Sequence, residues 1–442
     1  MVLLEQRGKY EMIRSSCYIR CWQLIAALLL VIAWTWHVEG QQLMLKEALE
    51  RAPNNLTYQT QLEQIRVLEA QLQQAGKRPN PALDTESSLS SADSYELSLG
   101  ISQTWERGGK RQLRRQIAQA QLEQSILESE NFLRVLVSEI RTAYLQLVWA
   151  QKQLSLVESY SERINALLEL DLVRVEQGEI PALHTAQLQI EIIKLDAVKG
   201  QVETERWKAQ SELNILIGSQ AEAEYIAVEE SVDALQIPDA SRVLRFALSN
   251  RPDLKSIRVA VDQADLEVKM EEAVSKRDWE LGTGYSYSRD ILHDSDFRPL
   301  GIIESARSAD HSFNLTLTIP LPFLDNNSGN IAAAKASRNL RERQVAQIES
   351  LVRSQVISAY RDYSLNQATV ELYQNKLVPK LEENIKQWNM AYQLTGEGLE
   401  DLLGQIEDSM ETELEKLEAD FEVNQSLISL ERAVGGRLQE IE

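Results

Sequence analysis

The sequence predicts a mostly α-helical protein with a small β part, organised as a duplicated helix–β-hairpin–helix unit. Three observations carry that prediction. Glycine and proline number 18 and 10 in 442 residues, about 6% together, where an average protein carries roughly 12%; so few breakers favour long unbroken helices. The chain repeats itself at a spacing near 217 residues. Between its helical stretches the apolar period switches from 3.6 to two.

Composition narrows the function classes. With 46 Lys and Arg against 67 Asp and Glu, the formal charge is −21, so the chain lacks the basic surface that nucleic-acid phosphates require. An acidic surface accumulates cations instead. Both cysteines, Cys17 and Cys21, precede the first apolar run. This removes disulfides, Cys-ligated zinc and nucleophilic thiols from the rest of the chain.

In chain order, residues 1–40 read as a signal peptide. Arg7, Lys9, Arg14 and Arg20 form a positive flank, and Cys21 to Trp36 is a 16-residue stretch without charge. That is short for a spanning helix, which needs about 20 apolar residues, and fits a secretory signal. The competing reading is an uncleaved inner-membrane anchor. Met12 is a second candidate start, and no cysteine follows the apolar core to serve as an acylation site.

Residues 41–236 and 237–442 then read as two structural repeats, each ordered helix, strand pair, long helix, glycine turn, second helix. Leu97-Ser98-Leu99-Gly100-Ile101 matches Leu315-Thr316-Leu317-Thr318-Ile319, and Ala143-Tyr144 matches Ala359-Tyr360. Gly178-Glu179 matches Gly396-Glu397, and Ile217-Gly218 matches Val434-Gly435; these offsets lie between 216 and 218 residues. In the first repeat a hairpin is expected at about 81–106. There Tyr95, Leu97, Leu99 and Ile101 alternate with Glu96, Ser98, Gly100 and Ser102. Strands of the second repeat fall at about 278–323, with Ser288 to Asp310 read as a surface loop. One apolar and one polar face over about ten residues is the pattern of a membrane-barrel strand. Four strands cannot close a barrel, whereas three chains of four give twelve.

The long helix of the first repeat follows Gly108-Gly109. From Leu133 to Val175 a 3-4 spacing holds over thirteen positions, of which eleven are apolar, a coiled-coil seam. Gly178 and Pro181 stop it, and residues 182–217 return. The second repeat predicts a long helix from about Asn330 to Thr395, a turn at Gly396-Glu397-Gly398, and a return to Val434. Helices of this length cannot wrap one globular core, so they pack lengthwise on others.

Trp105-Glu106-Arg107-Gly108-Gly109-Lys110-Arg111 and Pro320-Leu321-Pro322-Phe323-Leu324-Asp325-Asn326-Asn327 follow the second and fourth strands. Gly108-Gly109 and Asn326-Asn327 suit a tight strand-to-helix passage, and the prolines end a strand. Lys110 and Arg111 are expected at a membrane surface, held by anionic lipid heads. With the signal sequence, the duplicated plan and the glycine turns, these residues resemble the TolC-like outer-membrane factors of tripartite efflux systems. The two junctions are similar to those of the heavy-metal branch, the cobalt–zinc–cadmium-type cation efflux factors.

The resemblance implies a homotrimer: a 12-stranded transmembrane β-barrel in outer-membrane lipid above a coiled-coil α-barrel crossing the periplasm. It implies a periplasmic adaptor docking at the turns, with Gly178, Glu179, Gly396 and Glu397 as candidates. It also implies an inner-membrane pump of the resistance-nodulation-division type as the source of energy. A periplasmic aperture lined by acids is implied at Glu397, Glu400 and Asp401. No cofactor, resident metal or nucleic acid is implied. Two alternatives remain open, a drug or small-organic exporter of the same architecture and an anchored periplasmic coiled-coil scaffold.

Catalysis has little in its favour. His184, His293 and His311 form no H-E-x-x-H or H-x-x-x-H pattern, and no glycine-rich phosphate loop follows a strand. The acidic run is more telling. From Glu397 to Glu422 there are eleven acids and one base, Lys416. Leu399, Leu403, Ile406, Met410, Leu414, Leu417 and Phe421 are expected to form the buried seam. Glu400, Glu407, Glu411, Glu418 and Glu422 keep spacings of 7, 4, 7 and 4 and so share one stripe. Repeated threefold around a tunnel, such a stripe gives rings of negative charge that attract cations; on an outer face it is only a solvated surface.

Overall fold

The computed structural model describes residues 41–91, 94–229, 237–292, 306–395 and 398–440. The expected signal peptide, His293 and the Gly396-Glu397 pair lie outside them. The order of elements is β1 (Gln41–Leu43), α1 (Leu45–Glu50), α2 (Leu56–Ala75), β2 (Ala82–Ser91), β3 (Ser94–Trp105), α3 (Lys110–Glu176) and α4 (Leu183–Leu216). There follow β4 (Tyr225–Ala227), α5 (Ala240–Asn250), α6 (Pro252–Val274), β5 (Trp279–Leu292), β6 (Ala306–Thr318) and α7 (Ser328–Leu372). A π turn over Tyr373–Leu377 leads into α8 (Val378–Thr395) and α9 (Leu399–Val434). The contacts sort into two compact units, each drawing on both halves of the chain.

One unit comprises 41–55, 137–229 and 366–425. The α3 seam is buried along it: Ile140, Ala143, Leu147, Ala150, Val157 and Ile164 are all inside, as the 3-4 spacing predicts. A pair of three-residue strands, β1 and β4, runs parallel with Gln41 opposite Tyr225. The Tyr144 hydroxyl holds them, lying 2.8 Å from the Leu43 carbonyl and accepting the Val228 N–H at 3.0 Å. The expected helix from 330 to 395 is not continuous. Pro379 has no N–H to bond the carbonyl four residues earlier, and its ring crowds that carbonyl, so the ladder widens to a π turn just before it.

The other unit comprises 56–136, 237–365 and 426–440. Its four strands form one antiparallel sheet in the order β2-β3-β5-β6. Leu99 stands opposite Thr85 and Tyr285, and Tyr285 opposite Phe313, so one face gathers Leu97, Leu99, Ile101, Leu281, Phe313, Leu315 and Leu317. All of these are exposed, Phe313 at 84%. The opposite face carries Asp84, Glu86, Ser98, Gly100, Glu280, Gly282 and Thr316 around an open concavity. The strands run further than their alternation suggested: part of the expected Ser288–Asp310 loop is strand, because β5 reaches Leu292 and β6 begins at Ala306.

The junctions follow the residue chemistry. Gly108 has φ +73°, and a Cβ there would lie 3.2 Å from Ala273, so only glycine fits. Asn327 takes the left-handed φ of 63° that asparagine tolerates, its amide donating to the Glu271 carbonyl at 2.9 Å. Lys110 departs from expectation. It is 7% exposed and its ammonium sits 2.8 Å from Asp278, because the buried charge takes the nearest carboxylate instead of lipid.

Candidate functional site

The turn after α3 is built by a capping motif. Gly178 has φ +74°; its N–H bonds the Val175 carbonyl at 3.0 Å, and the Glu179 N–H bonds the Arg174 carbonyl at 2.9 Å. This 6→1 and 5→2 pair satisfies two orphan carbonyls of the helix end. The Glu179 carboxylate is exposed and pairs with Arg174 at 3.4 Å, which fixes the direction in which the turn leaves the helix. Gly396 and Glu397, the corresponding candidates, lie outside the described residues. Gly398 begins the return, its carbonyl accepting the Leu402 N–H at 3.0 Å.

Glu400 and Asp401 occupy the first turn of α9, where the positive end of the helix dipole favours carboxylates. Both are exposed. So are Glu407, Glu411, Glu418 and Glu422, which places the whole predicted stripe on one open face. None of the stripe's carboxylates enters an ion pair among the described residues. The remaining acids divide differently. Glu413 accepts from Tyr160 at 3.0 Å, Glu415 from Tyr373 at 3.2 Å and Asp420 from Gln374 at 3.3 Å.

The buried seam of α9 is rotated from the predicted one. Leu399 is buried as expected, but Leu402 at 1% and Ser409 at 2% are the inward positions, while Leu403, Ile406 and Met410 are half-buried. Ser409 is inside because its small side chain leaves room for Tyr160, whose hydroxyl lies 2.9 Å from the Ser409 hydroxyl. Burial pushes the Tyr160 hydroxyl up to about 12; the Ser409 bond opposes that rise and the Glu413 charge adds to it.

Sequence reasoning missed the most buried polar contact of this end. Asp171, a seam position, is 0% exposed. The Tyr392 hydroxyl donates to its Oδ2 at 2.6 Å, tying α8 to α3 among Ile164, Leu188, Leu195, Leu399 and Leu402. Burial, then the Asp171 bond, drives the Tyr392 hydroxyl well above the usual phenol range, so it remains a donor. The Asp171 Oδ1 has no hydrogen-bond partner among the described residues. The available signal was a lone acid in an otherwise apolar seam, which demands a buried donor from another helix.

His184 stands alone near the first turn, and His311 lies on the apolar face of β6 bonded to the Tyr285 hydroxyl. Among the described residues no three His, Cys, Asp or Glu side chains converge to hold a metal ion. No described helix is long and apolar enough to cross a membrane.

A sheet with an exposed apolar face, joined by capped junctions to helices of up to 67 residues, is an arrangement with known counterparts. The model of the outer membrane efflux protein family matches residues 44–219 and 243–436. The chain belongs to that family. Its location is therefore the outer membrane, and its role that of an efflux channel. Among curated relatives, the cobalt-zinc-cadmium resistance protein CzcC of Cupriavidus metallidurans is 21% identical over 345 residues, 77% of this chain and 78% of its own. Among solved structures, the transmembrane channel CusC superposes with a TM-score of 0.72 at 17% identity, over 89% of this chain and 92% of CusC. The open state of the Neisseria gonorrhoeae outer membrane channel MtrE gives 0.67 at 17% identity, over 89% of each chain. The fold is that of these channels, mostly helical with a membrane β-barrel part.

Proposed function

We propose that this chain forms, as a homotrimer, the passive outer-membrane exit duct of a tripartite pump that expels heavy-metal cations. The observation that carries the cation reading is the exposed stripe of Glu400, Glu407, Glu411, Glu418 and Glu422, none of them in an ion pair among the described residues. Three copies around an axis would stack it into rings of negative charge. Likeness to CzcC supports the same class of cargo.

Trimerisation is supported by the sheet. β2 and β6 are its edges, and in hydrocarbon an unpaired edge leaves each N–H and C=O unsatisfied at several kcal/mol. Pairing β6 of one copy with β2 of the next removes both edges, and three copies give twelve strands. The Gly178-Glu179 and Gly396-Glu397 turns are the proposed docking points for a periplasmic adaptor, with an inner-membrane resistance-nodulation-division-type pump behind it. Glu397, Glu400 and Asp401 are the proposed aperture acids. The duct itself has no enzymatic role.

Deleting the gene and measuring tolerance to zinc, cobalt and cadmium salts tests the cargo. Loss of tolerance, restored by the wild-type copy, is expected. Unchanged metal tolerance with heightened sensitivity to organic compounds would replace this reading with that of an organic exporter.

A further inference from the structure

We infer that the foot of the four-stranded sheet binds the phosphodiester headgroups of anionic phospholipids, of the phosphatidylglycerol type, in the leaflet that meets the helices. The inference rests on the placement of this sheet in the outer membrane. Trp105 and Trp279 stand opposite each other at the last register position of β3 and β5. Paired indoles at a strand end belong at headgroup depth, where their rings are buried and their N–H groups wet. Past the end of β6, the apolar surface continues as Leu321, Phe323 and Leu324, the last 92% exposed.

At the same end of the sheet the charge reverses. In a chain of formal charge −21, the short segments entering the sheet carry Lys77, Arg78 and Lys276, and the start of α3 carries Arg111 and Arg115, all exposed. None has a carboxylate partner among the described residues. Three nearby acids are already committed. Asp278 accepts from Lys110 and from the Arg107 N–H, both at 2.8 Å, Glu106 binds the Arg114 guanidinium, and Asp325 pairs with Arg277 at 3.1 Å. The Arg107 guanidinium lies over the Trp279 ring at 4.3 Å, which holds a further cation at headgroup depth.

Between the end of α2 and the start of α3 this region opens into a cleft of about 490 Å³, lined by Gln71, Gln74, Lys77, Arg78, Glu106 and Arg114. Three bases against one acid leave it positive by two charges. Guanidinium forks and amide N–H groups are the donors that a phosphodiester accepts. The cleft shares this end of the sheet with the tryptophan pair and the apolar rim, which points to a lipid as the source of that phosphate, because a soluble anion has no use for exposed Phe323 and Leu324.

The test uses the full-length protein extracted in mild detergent, with native mass spectrometry counting retained lipids after exchange into mixed phosphatidylglycerol and phosphatidylcholine. The wild type is expected to retain phosphatidylglycerol selectively. In Lys77→Gln/Arg78→Gln/Arg111→Gln/Arg115→Gln, retention falls roughly fivefold for each charge removed. A second variant, Arg78→Lys/Arg111→Lys/Arg115→Lys, keeps the charge, and retains the lipid even if the first fails to assemble. Equal retention in the wild type and the charge-removed variant would overturn the inference. So would displacement of the lipid by millimolar inorganic phosphate, or recovery of an acidic protein in place of lipid. Absence of the wild type from the outer-membrane fraction would strike the channel assignment itself; normal fractionation without lipid preference strikes only this inference.

Discussion

Asp171 sits at a coiled-coil position where an apolar side chain would normally stand, and its cost is offset by one hydrogen bond from Tyr392. Tyr392→Phe keeps the ring and removes the donor, leaving a buried carboxylate with neither oxygen satisfied. The expected loss is about 1–3 kcal/mol, read as a lower unfolding temperature of the purified protein; Asp171→Asn in the Phe background should recover part of it. Tyr160 gives a pH signature. Its hydroxyl rises from 10.0 to about 12 on folding, chiefly through burial. The folded state therefore binds this proton more tightly than the unfolded chain does. Its contribution is fully present below pH 10 and is lost as the pH climbs towards 12. Ultraviolet titration of tyrosinate should show Tyr160 ionising late, and Tyr160→Phe should flatten the alkaline loss of stability. Gly178→Ala meets no clash, since nothing lies within 4 Å of the new Cβ. It costs only the left-handed backbone penalty of about 1 kcal/mol, so it should fold and shift the unfolding temperature slightly.

At the level of elements, the sheet makes the sharpest prediction. Leu317 stands on the apolar face beside Leu281, and neighbouring Thr316 on the polar one. Leu317→Arg should cost about 2–4 kcal/mol if it meets lipid at mid-depth, while Thr316→Arg should be tolerated, as heat-modifiable mobility on gels would report. Equal tolerance would contradict a lipid-facing strand. This sheet was legible in the sequence because alternation is local: Leu97, Leu99 and Ile101 declare their face within five residues. The α3 seam was legible for the same reason. What escaped lacks a local period. β1 and β4 are three residues each and exist because Tyr144, 101 residues from Leu43, bonds both edges. Pro379 signals a break, but its resolution as a π turn depends on what α8 packs against. The Tyr392–Asp171 contact joins residues 221 apart in sequence, so the buried acid was visible and its donor was not. Ser409 belongs inside α9 only because Tyr160 selects it.

Across the whole molecule, charge is distributed by task. The chain is strongly acidic overall, yet bases gather at the foot of the sheet and unpaired acids along one face of α9. On the proposed readings, a lipid-contacting end wants cations and a cation duct wants carboxylates, so a single net charge conceals two surfaces of opposite sign. The most direct measurement of the central claim is the reversal potential of the purified trimer in a planar bilayer under a salt gradient. The account predicts a cation-selective conductance, with Glu400→Gln/Asp401→Asn shifting the reversal potential towards zero. A wild-type channel without cation preference, or a double variant whose selectivity and conductance match the wild type, would contradict it.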